Sequence, residues 1–130
     1  MINTAINIGD DNPIIGVGIG QFGFYATDYV EEEAYRSWEV VNWLDPEKPQ
    51  YWPTTFALPA RIYAETGIIG IAIWSLMWIV GIGALIRLYI KSNKFFYIII
   101  IASAVGAMLA TFNVDTFIYY PIWIMLSIIA

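Results

Sequence analysis

The chain contains no cysteine and no histidine among its 130 residues. A disulfide scaffold is therefore excluded, and the usual ligands of zinc and haem are missing. We accordingly expect no metal and no cofactor. Basic residues are also scarce, since six lysines and arginines stand against eleven acids and give a net charge of −5. Proteins that bind nucleic acid usually carry a basic patch, so we expect no nucleic-acid partner.

Hydrophobic residues, in contrast, are abundant and unevenly placed. They make up 59% of the chain, and the mean hydropathy is +0.64, whereas soluble domains are about 45–50% apolar. Ten of the eleven acids precede residue 67, and residues 68–130 are almost continuously apolar. A soluble domain could not bury that second half. The composition therefore predicts an all-α integral membrane protein, a polytopic helical bundle with an extracytoplasmic loop that contains short helices.

Both ends of the chain suggest a fragment of a larger protein. The residues after Met1 include no basic n-region and no long apolar h-region, so they do not form a signal peptide. The last residues, 128–130, lie inside an apolar run. We therefore expect further spans before and after this segment.

The apolar half divides into predicted spans. Residues 68–90 carry no charge before Arg87 and are long enough to cross a hydrocarbon core of ~30 Å. Residues 95–112 form a second uncharged run, and residues 116–130 resemble most of a third. Pro121 is acceptable in that third span if neighbouring helices satisfy the freed carbonyl group.

The basic residues predict the orientation of these spans. Arg87, Lys91 and Lys94 cluster at the first turn, residues 91–94, without a nearby acid. Short loops rich in lysine and arginine stay in the cytoplasm. Residues 1–67 and the turn at 113–115 are therefore predicted to lie outside, so Asp115 shares a side with the long polar segment.

The outer segment is predicted to be mostly loop. Residues 12–25 are glycine-rich, and residues 27–52 are acidic and aromatic, with room for one short helix around 31–41. Thr54 is a candidate N-cap for an interfacial helix that begins near residue 56 and continues into the first span. Within that helix Arg61 and Glu65 are four residues apart and share a face. They form either an interfacial salt bridge or part of a polar cavity between helices.

The glycine-rich stretch matches two known motifs only superficially. Gly18, Gly20 and Gly23 fit the GxGxxG dinucleotide fingerprint, but an acidic loop follows them instead of a second βα unit. Gly16, Gly18 and Gly20 also alternate as in a potassium-channel filter, but no lining span follows soon after. A glycine turn at the membrane surface explains the same residues.

Two further patterns have plain structural interpretations. The aromatic residues of the loop favour the membrane interface, although rings such as Trp52 could also stack on a sugar. Ala102, Gly106 and Ala110 recur every four residues in the second span, and such a stripe of small residues suits close helix packing.

Two motifs in a fixed order indicate a family. Residues 12–22 (NPIIGVGIGQF) are followed, after a variable loop, by residues 64–70 (AETGIIG) at the start of a span. The combination resembles the O-antigen ligase and polymerase family of bacterial envelopes. Its members begin a large periplasmic loop with NPxxGxGxxxF and close it with AExGxxG. The resemblance covers about residues 10–130.

The resemblance implies a GT-C-type membrane glycosyltransferase in the bacterial inner membrane, acting on a glycan linked to undecaprenyl diphosphate. Other membrane proteins of polysaccharide assembly are possible partners, and no metal is implied. The resemblance also implies that arginines of the periplasmic loop hold the donor diphosphate, for which a guanidinium is chemically suited. Arg61 is a candidate for that contact by its position and chemistry. Glu65 either orients Arg61 or accepts the proton of the acceptor hydroxyl, and Asp115 is the other candidate proton acceptor. Gly16, Gly18, Gly67 and Gly70 match the motif glycines, and we expect the first three, with Trp52, to line the substrate site.

One departure bears on the choice within the family. Ligases commonly carry a histidine before the closing glutamate, where this chain has Thr54, Thr55, Phe56 and Ala57. The missing histidine favours a polymerase or a more distant member. Two other classes stay open, namely a polytopic transporter or lipid-glycan flippase, and a non-catalytic subunit of a membrane assembly.

Overall fold

Helices account for the regular structure of the part of the chain that the structure describes. The computed structural model describes residues 1–45, 47, 53–114, 123, 124 and 127, and within them it contains no β-strand. The helices in this part of the chain are α1 (Ile2–Asp11), α2 (Phe22–Tyr29), α3 (Trp38–Leu44), α4 (Leu58–Ser92) and α5 (Phe96–Ala110), with 3₁₀ turns at Glu32–Arg36 and Thr111–Asn113. The all-helical fold class is confirmed to that extent.

Two of these helices are long and apolar enough to cross a membrane. They are α4 and the continuous segment Phe96–Asn113, which consists of α5 and the 3₁₀ turn that follows it. They contain the predicted span 68–90 and, except for residue 95, the predicted span 95–112. Helix α4 ends where Asn93 adopts the left-handed conformation and donates its backbone N–H to Tyr89. The third predicted span, 116–130, lies outside the described residues except for Trp123, Ile124 and Ser127.

Helix α4 is bent at Gly67, whose backbone angles are not helical. Residues 68–92 rise by ~37 Å and residues 96–113 by ~27 Å, so a straight α4 would carry its first residue far past the end of α5. Instead, the Leu58 N–H donates to the carbonyl of Val114 at 2.7 Å. Residues 58–66 therefore fold back towards the end of α5.

The packing divides into two apolar clusters. In the first, Trp78 and Leu85 of α4 pack with Ala104 of α5, together with Leu58 and Ile62 from the folded-back part. In the second, α1 and α2 cover the other side of residues 58–66, with Ala5, Ile8, Phe22, Ala26 and Ala64 buried between them. The folded-back part of α4 thus contributes to both clusters, which fixes its position.

Several local predictions need correction. The Thr54 cap is wrong, because the N-cap of α4 is Ala57 and Thr54 Oγ1 instead accepts the Phe56 N–H at 3.2 Å. The predicted single helix around 31–41 is replaced by a 3₁₀ turn and α3. In the small-residue stripe, Ala102 and Gly106 are exposed within the described residues, so its packing against another helix stays a prediction.

Candidate functional site

A loop docks against the break in α4 through backbone hydrogen bonds. In a regular helix, the Ile68 and Ile69 N–H groups would donate to the carbonyl oxygens of residues 64 and 65. Here they donate to Pro13 (2.8 Å) and Ile14 (3.5 Å). The two carbonyl oxygens released, those of Ala64 and Glu65, accept the N–H groups of Val17 (3.0 Å) and Gly18 (2.9 Å). The loop therefore replaces the helical bonds that the break removes.

Glycines allow the two backbones to approach this closely. Gly67 has φ 64° and ψ −158°, a combination that is essentially restricted to glycine. A Cβ atom on Gly67 would overlap the backbone of Ile14, and a Cβ atom on Gly16 would overlap the backbone at Glu65 and Thr66. Gly16 itself has φ 65°. Both glycines are thus needed for backbone-to-backbone contact between the two motifs.

Glu65 links the break to a second helix. Its side chain is buried, and Oε1 accepts hydrogen bonds from Arg61 Nε at 3.1 Å and from the Phe22 N–H at 3.4 Å. Phe22 is the first residue of α2, whose N-cap residue Gln21 makes no side-chain cap. The carboxylate therefore neutralises the Arg61 guanidinium and also satisfies one of the unpaired N–H groups at the start of α2.

Arg61 lies one turn before Glu65 and is mostly buried. Its side chain is 17% exposed and that of Glu65 is 3% exposed. A guanidinium carries five N–H donors in a planar fork, and the ion pair with Glu65 uses the one on Nε. The pair therefore combines a fixed, charged arginine with a carboxylate that sets its orientation.

Helix α1 is tied to the site by two tyrosines. Tyr63 donates its hydroxyl to Asp10 at 2.9 Å, and Tyr29 donates to Asp11 at 2.7 Å. The hydrogen bond to Asp11, with some desolvation and the nearby negative charge, raises the pKa of Tyr29 above its ordinary value. Gly9 permits the contact with α4, because a Cβ atom there would overlap the Tyr63 ring. These contacts hold the acidic end of α1 beside residues 58–66.

An apolar cavity lies between α4 and α5. It measures about 590 Å³, and its lining includes Pro59, Trp74, Trp78, Met108 and Phe112. Trp78 is buried, and its Nε1–H finds no acceptor within the described residues. The lining suits a hydrocarbon group, and an acceptor from outside this part of the chain would satisfy the indole.

The structure brings most of the predicted site residues together. Arg61, Glu65 and Gly67 lie on consecutive turns of α4, while Gly16 and Gly18 belong to the docked loop. The geometry gives Gly16 and Gly67 a packing reason, and their role as substrate contacts stays a prediction. Trp52 and Asp115, the other two predicted site residues, lie outside the described residues.

Other residues of the site were not singled out from the sequence. Pro13, Ile14 and Val17 act through their backbone groups, and Phe22 through its N–H and its fully buried ring. Backbone contacts leave little signal in side-chain patterns. For Phe22, the signal in the sequence is its position at the end of the first motif.

Metal and family comparisons add no assignment. Among the residues that the structure describes, no group of three or more metal-binding side chains is found. Comparisons with protein-family models, with curated proteins and with solved structures find no match to this chain. The functional argument therefore depends on the two motifs and on the geometry that joins them.

Proposed function

We propose that the chain is part of a membrane glycosyltransferase of the O-antigen ligase and polymerase type. In this proposal the full protein transfers a glycan from its undecaprenyl diphosphate carrier at the outer face of the bacterial inner membrane. One observation carries the proposal. The two motifs of the resemblance, which are separated in the sequence by the 41 residues 23–63, are in direct backbone contact at Gly16 and Gly67.

The proposal needs the chain to be embedded in a bilayer in one orientation. The two long apolar helices support spans over residues 68–90 and 95–112. The cluster of Arg87, Lys91 and Lys94 supports a cytoplasmic turn at 91–94. Residues 1–67, with the docked loop and the ion pair, then lie at the outer surface.

Arg61 is the residue that we assign to the donor diphosphate. In the transfer, an acceptor hydroxyl attacks the anomeric carbon, and the bond from that carbon to the diphosphate oxygen breaks. Negative charge grows on the departing diphosphate, and a fixed guanidinium stabilises that charge. The partial burial of Arg61 strengthens such an interaction, because less water competes for it.

Glu65 is better suited to position Arg61 than to accept a proton. Its buried carboxylate already accepts two hydrogen bonds, one of them from a cation. Asp115 is then the remaining candidate for the proton of the acceptor hydroxyl, on the basis of its sequence position alone. The apolar cavity between α4 and α5 has the right chemistry for a polyprenyl chain.

The test uses the full-length protein in its own cells. Arg61→Ala is expected to abolish the surface polymer, and the polymer is compared at equal membrane levels of the variant and the unsubstituted protein, because loss of the partner of buried Glu65 lowers stability. Arg61→Lys, which keeps the charge but loses the planar fork, is expected to retain partial activity. Arg36→Ala is the matched control, since Arg36 lies on an exposed 3₁₀ turn. A normal polymer ladder in Arg61→Ala would refute the assigned role.

Deletion of the whole gene separates the two reactions of the family. On a gel of the surface glycan, single repeat units in place of the ladder of polymer lengths would identify a polymerase. The missing histidine favours this outcome. An acceptor glycan without polymer, together with polymer left on its lipid carrier, would identify a ligase. An unchanged ladder and an unchanged lipid-linked pool would contradict both.

The break in α4 also favours a second candidate, a transporter or a lipid-glycan flippase. Transporters often bind substrate where a membrane helix is interrupted and its backbone is non-helical, and α4 is interrupted at Gly67 beside an ion pair. An activity assay of the purified protein in detergent, where no membrane compartments exist, distinguishes the transporter from the transferase. Elongation of a lipid-linked glycan under those conditions would support the transferase and exclude a purely transporting role.

A further inference from the structure

An exposed aliphatic surface surrounds the break in α4. Three isoleucines of the docked loop are strongly exposed, Ile14 at 65%, Ile15 at 71% and Ile19 at 77%. Ile14 and Ile15 adjoin Ile68 and Ile69 on α4, which are also exposed, because the carbonyl groups of Pro13 and Ile14 bond to the backbone of those two residues. Ile19 follows Gly18, whose N–H donates to the carbonyl of Glu65. We call these five isoleucines the isoleucine ledge.

The ledge continues along the helix. Ile69, Ile73, Leu76 and Val80 are all exposed, and their spacing of four, three and four residues places them on one face of α4. No charged residue occurs between Glu65 and Arg87, and residues 12–27 carry no charge either. No charged residue therefore interrupts the loop or this face of α4 in the sequence.

Part of the backbone of the loop is satisfied by hydrogen bonds to α4. Non-helical backbone is tolerated at membrane depth only where its polar groups are satisfied within the protein. The loop directs two N–H groups and two carbonyl groups at the freed groups of α4. The Gly16 N–H also donates to the carbonyl oxygen of Asn12, within the loop. The groups bonded in this way face the helix, while the side chains of Ile14, Ile15 and Ile19 are exposed.

We propose that the isoleucine ledge inserts into the outer leaflet of a lipid bilayer, so that residues 13–19 form a membrane-inserted loop beside α4. Lipid fits better than a protein partner because the ledge has no aromatic or arginine anchor, and those residues typify protein interfaces. It also offers no side-chain donor or acceptor for specific recognition. The proposal rests on α4 crossing the bilayer and not on the glycosyl-transfer chemistry.

The test measures the depth of single nitroxide labels. Ile15→Cys and Ile19→Cys are made in the full-length protein, freed of any other cysteine and reconstituted in nanodiscs of phosphatidylcholine and phosphatidylglycerol. Electron paramagnetic resonance then compares collisions with oxygen, which concentrates in lipid, and with a water-soluble nickel chelate. Leu76→Cys provides the reference inside the bilayer, and Glu33→Cys on the exposed acidic turn provides the reference in water.

We expect both loop labels to favour oxygen as the Leu76 label does, several-fold more than the Glu33 label. Access of the nickel chelate at the level of Glu33 would overturn the proposal, because the ledge would then face water. Low access to both reagents would also overturn it, since another span or a second copy would cover the ledge. Two labelled sites guard against a poorly folded variant. The measurement is independent of polymer formation, so the result with Arg61→Ala does not bear on it.

Discussion

At the scale of single residues, Glu65 makes the contacts with the widest consequences. Its carboxylate joins Arg61 of its own helix to the first N–H of α2. Removing one member of a buried ion pair leaves the other charge without compensation, which costs more than the pair contributes as a whole. The two residues should therefore be coupled energetically as well as in space.

A double-mutant cycle on Arg61 and Glu65 measures that coupling. Glu65→Ala is expected to lower the free energy of unfolding by about 3 kcal/mol, because it removes the partner of a mostly buried arginine. Glu65→Gln keeps an acceptor oxygen but not the charge, and should cost about 1 kcal/mol. The Glu65→Ala and Arg61→Ala costs should be non-additive by about 1–3 kcal/mol. Denaturant unfolding of the purified protein in detergent provides the values, and strictly additive costs would contradict the coupling.

Tyr29 gives a prediction about pH. Its pKa is raised mainly by the hydrogen bond to Asp11, so this contact stabilises the fold fully below the unfolded-state pKa of about 10. The stabilisation is lost as the pH rises through the folded-state pKa. Ring-carbon NMR of Tyr29 should show a titration midpoint that falls in Asp11→Asn, since a neutral partner holds the phenol proton less strongly. Glu33→Gln is the control, and an unchanged midpoint in Asp11→Asn would contradict the assignment.

At the scale of elements, the break in α4 and the docked loop depend on each other. Each would leave polar backbone groups unpaired without its partner, and unpaired groups are costly wherever water is excluded. The loop has no regular secondary structure over residues 12–21, so its order must come from α4. The two should accordingly open as one unit.

Alanine at the contact glycines tests this dependence. Gly67→Ala should cost at least about 1–3 kcal/mol of stability, because alanine is strained at that φ and ψ and would overlap Ile14. Gly16→Ala should also lower stability, because a Cβ atom on residue 16 would overlap the backbone at Glu65 and Thr66. Gly83→Ala is the matched control, since nothing lies near its Cβ position and alanine favours a helix by about 0.5–1 kcal/mol.

Hydrogen exchange shows whether the loop and the break are one unit. In the unsubstituted protein, the amides of Val17, Gly18, Ile68 and Ile69 should exchange at similar slow rates. Gly16→Ala should accelerate all four together, while the amides near Gly83 keep their rates. Faster exchange in the loop alone would mean that α4 holds its bend without the loop.

The sequence predicts some of these elements and not others. Long uncharged runs identify α4 and α5, and the spacing of Arg61 and Glu65 anticipates their ion pair. Helices α1 and α2 were not predicted, because α1 is rich in isoleucine and asparagine, which have only moderate helix propensity. Their buried residues, such as Ile8 and Phe22, show that tertiary packing stabilises them. The bend at Gly67 was also missed, since it depends on a loop some fifty residues away, at residues 13–18.

At the scale of the whole molecule, residues 58–66 connect two clusters of different character. One side packs with α1 and α2, which belong to the polar half of the chain, and the other side packs on α4 and α5. If α4 and α5 cross a bilayer, this segment lies at the interface and places Arg61 and Glu65 where a lipid headgroup would meet an aqueous glycan. That placement holds only in one orientation, with the turn at 91–94 in the cytoplasm.

Single-cysteine labelling in intact cells tests the orientation. The chain contains no cysteine, so Ser37→Cys and Asn93→Cys can each be the only site once any cysteine elsewhere in the full protein is removed. Ser37→Cys should react with a membrane-impermeant maleimide in intact cells, because the basic turn holds the opposite side in the cytoplasm. Asn93→Cys should react only after the membrane is permeabilised. The reverse pattern would place the ion pair inside the cell, where the proposed outer-face transfer could not occur. Labelling of both sites in intact cells would mean that α4 does not cross the membrane.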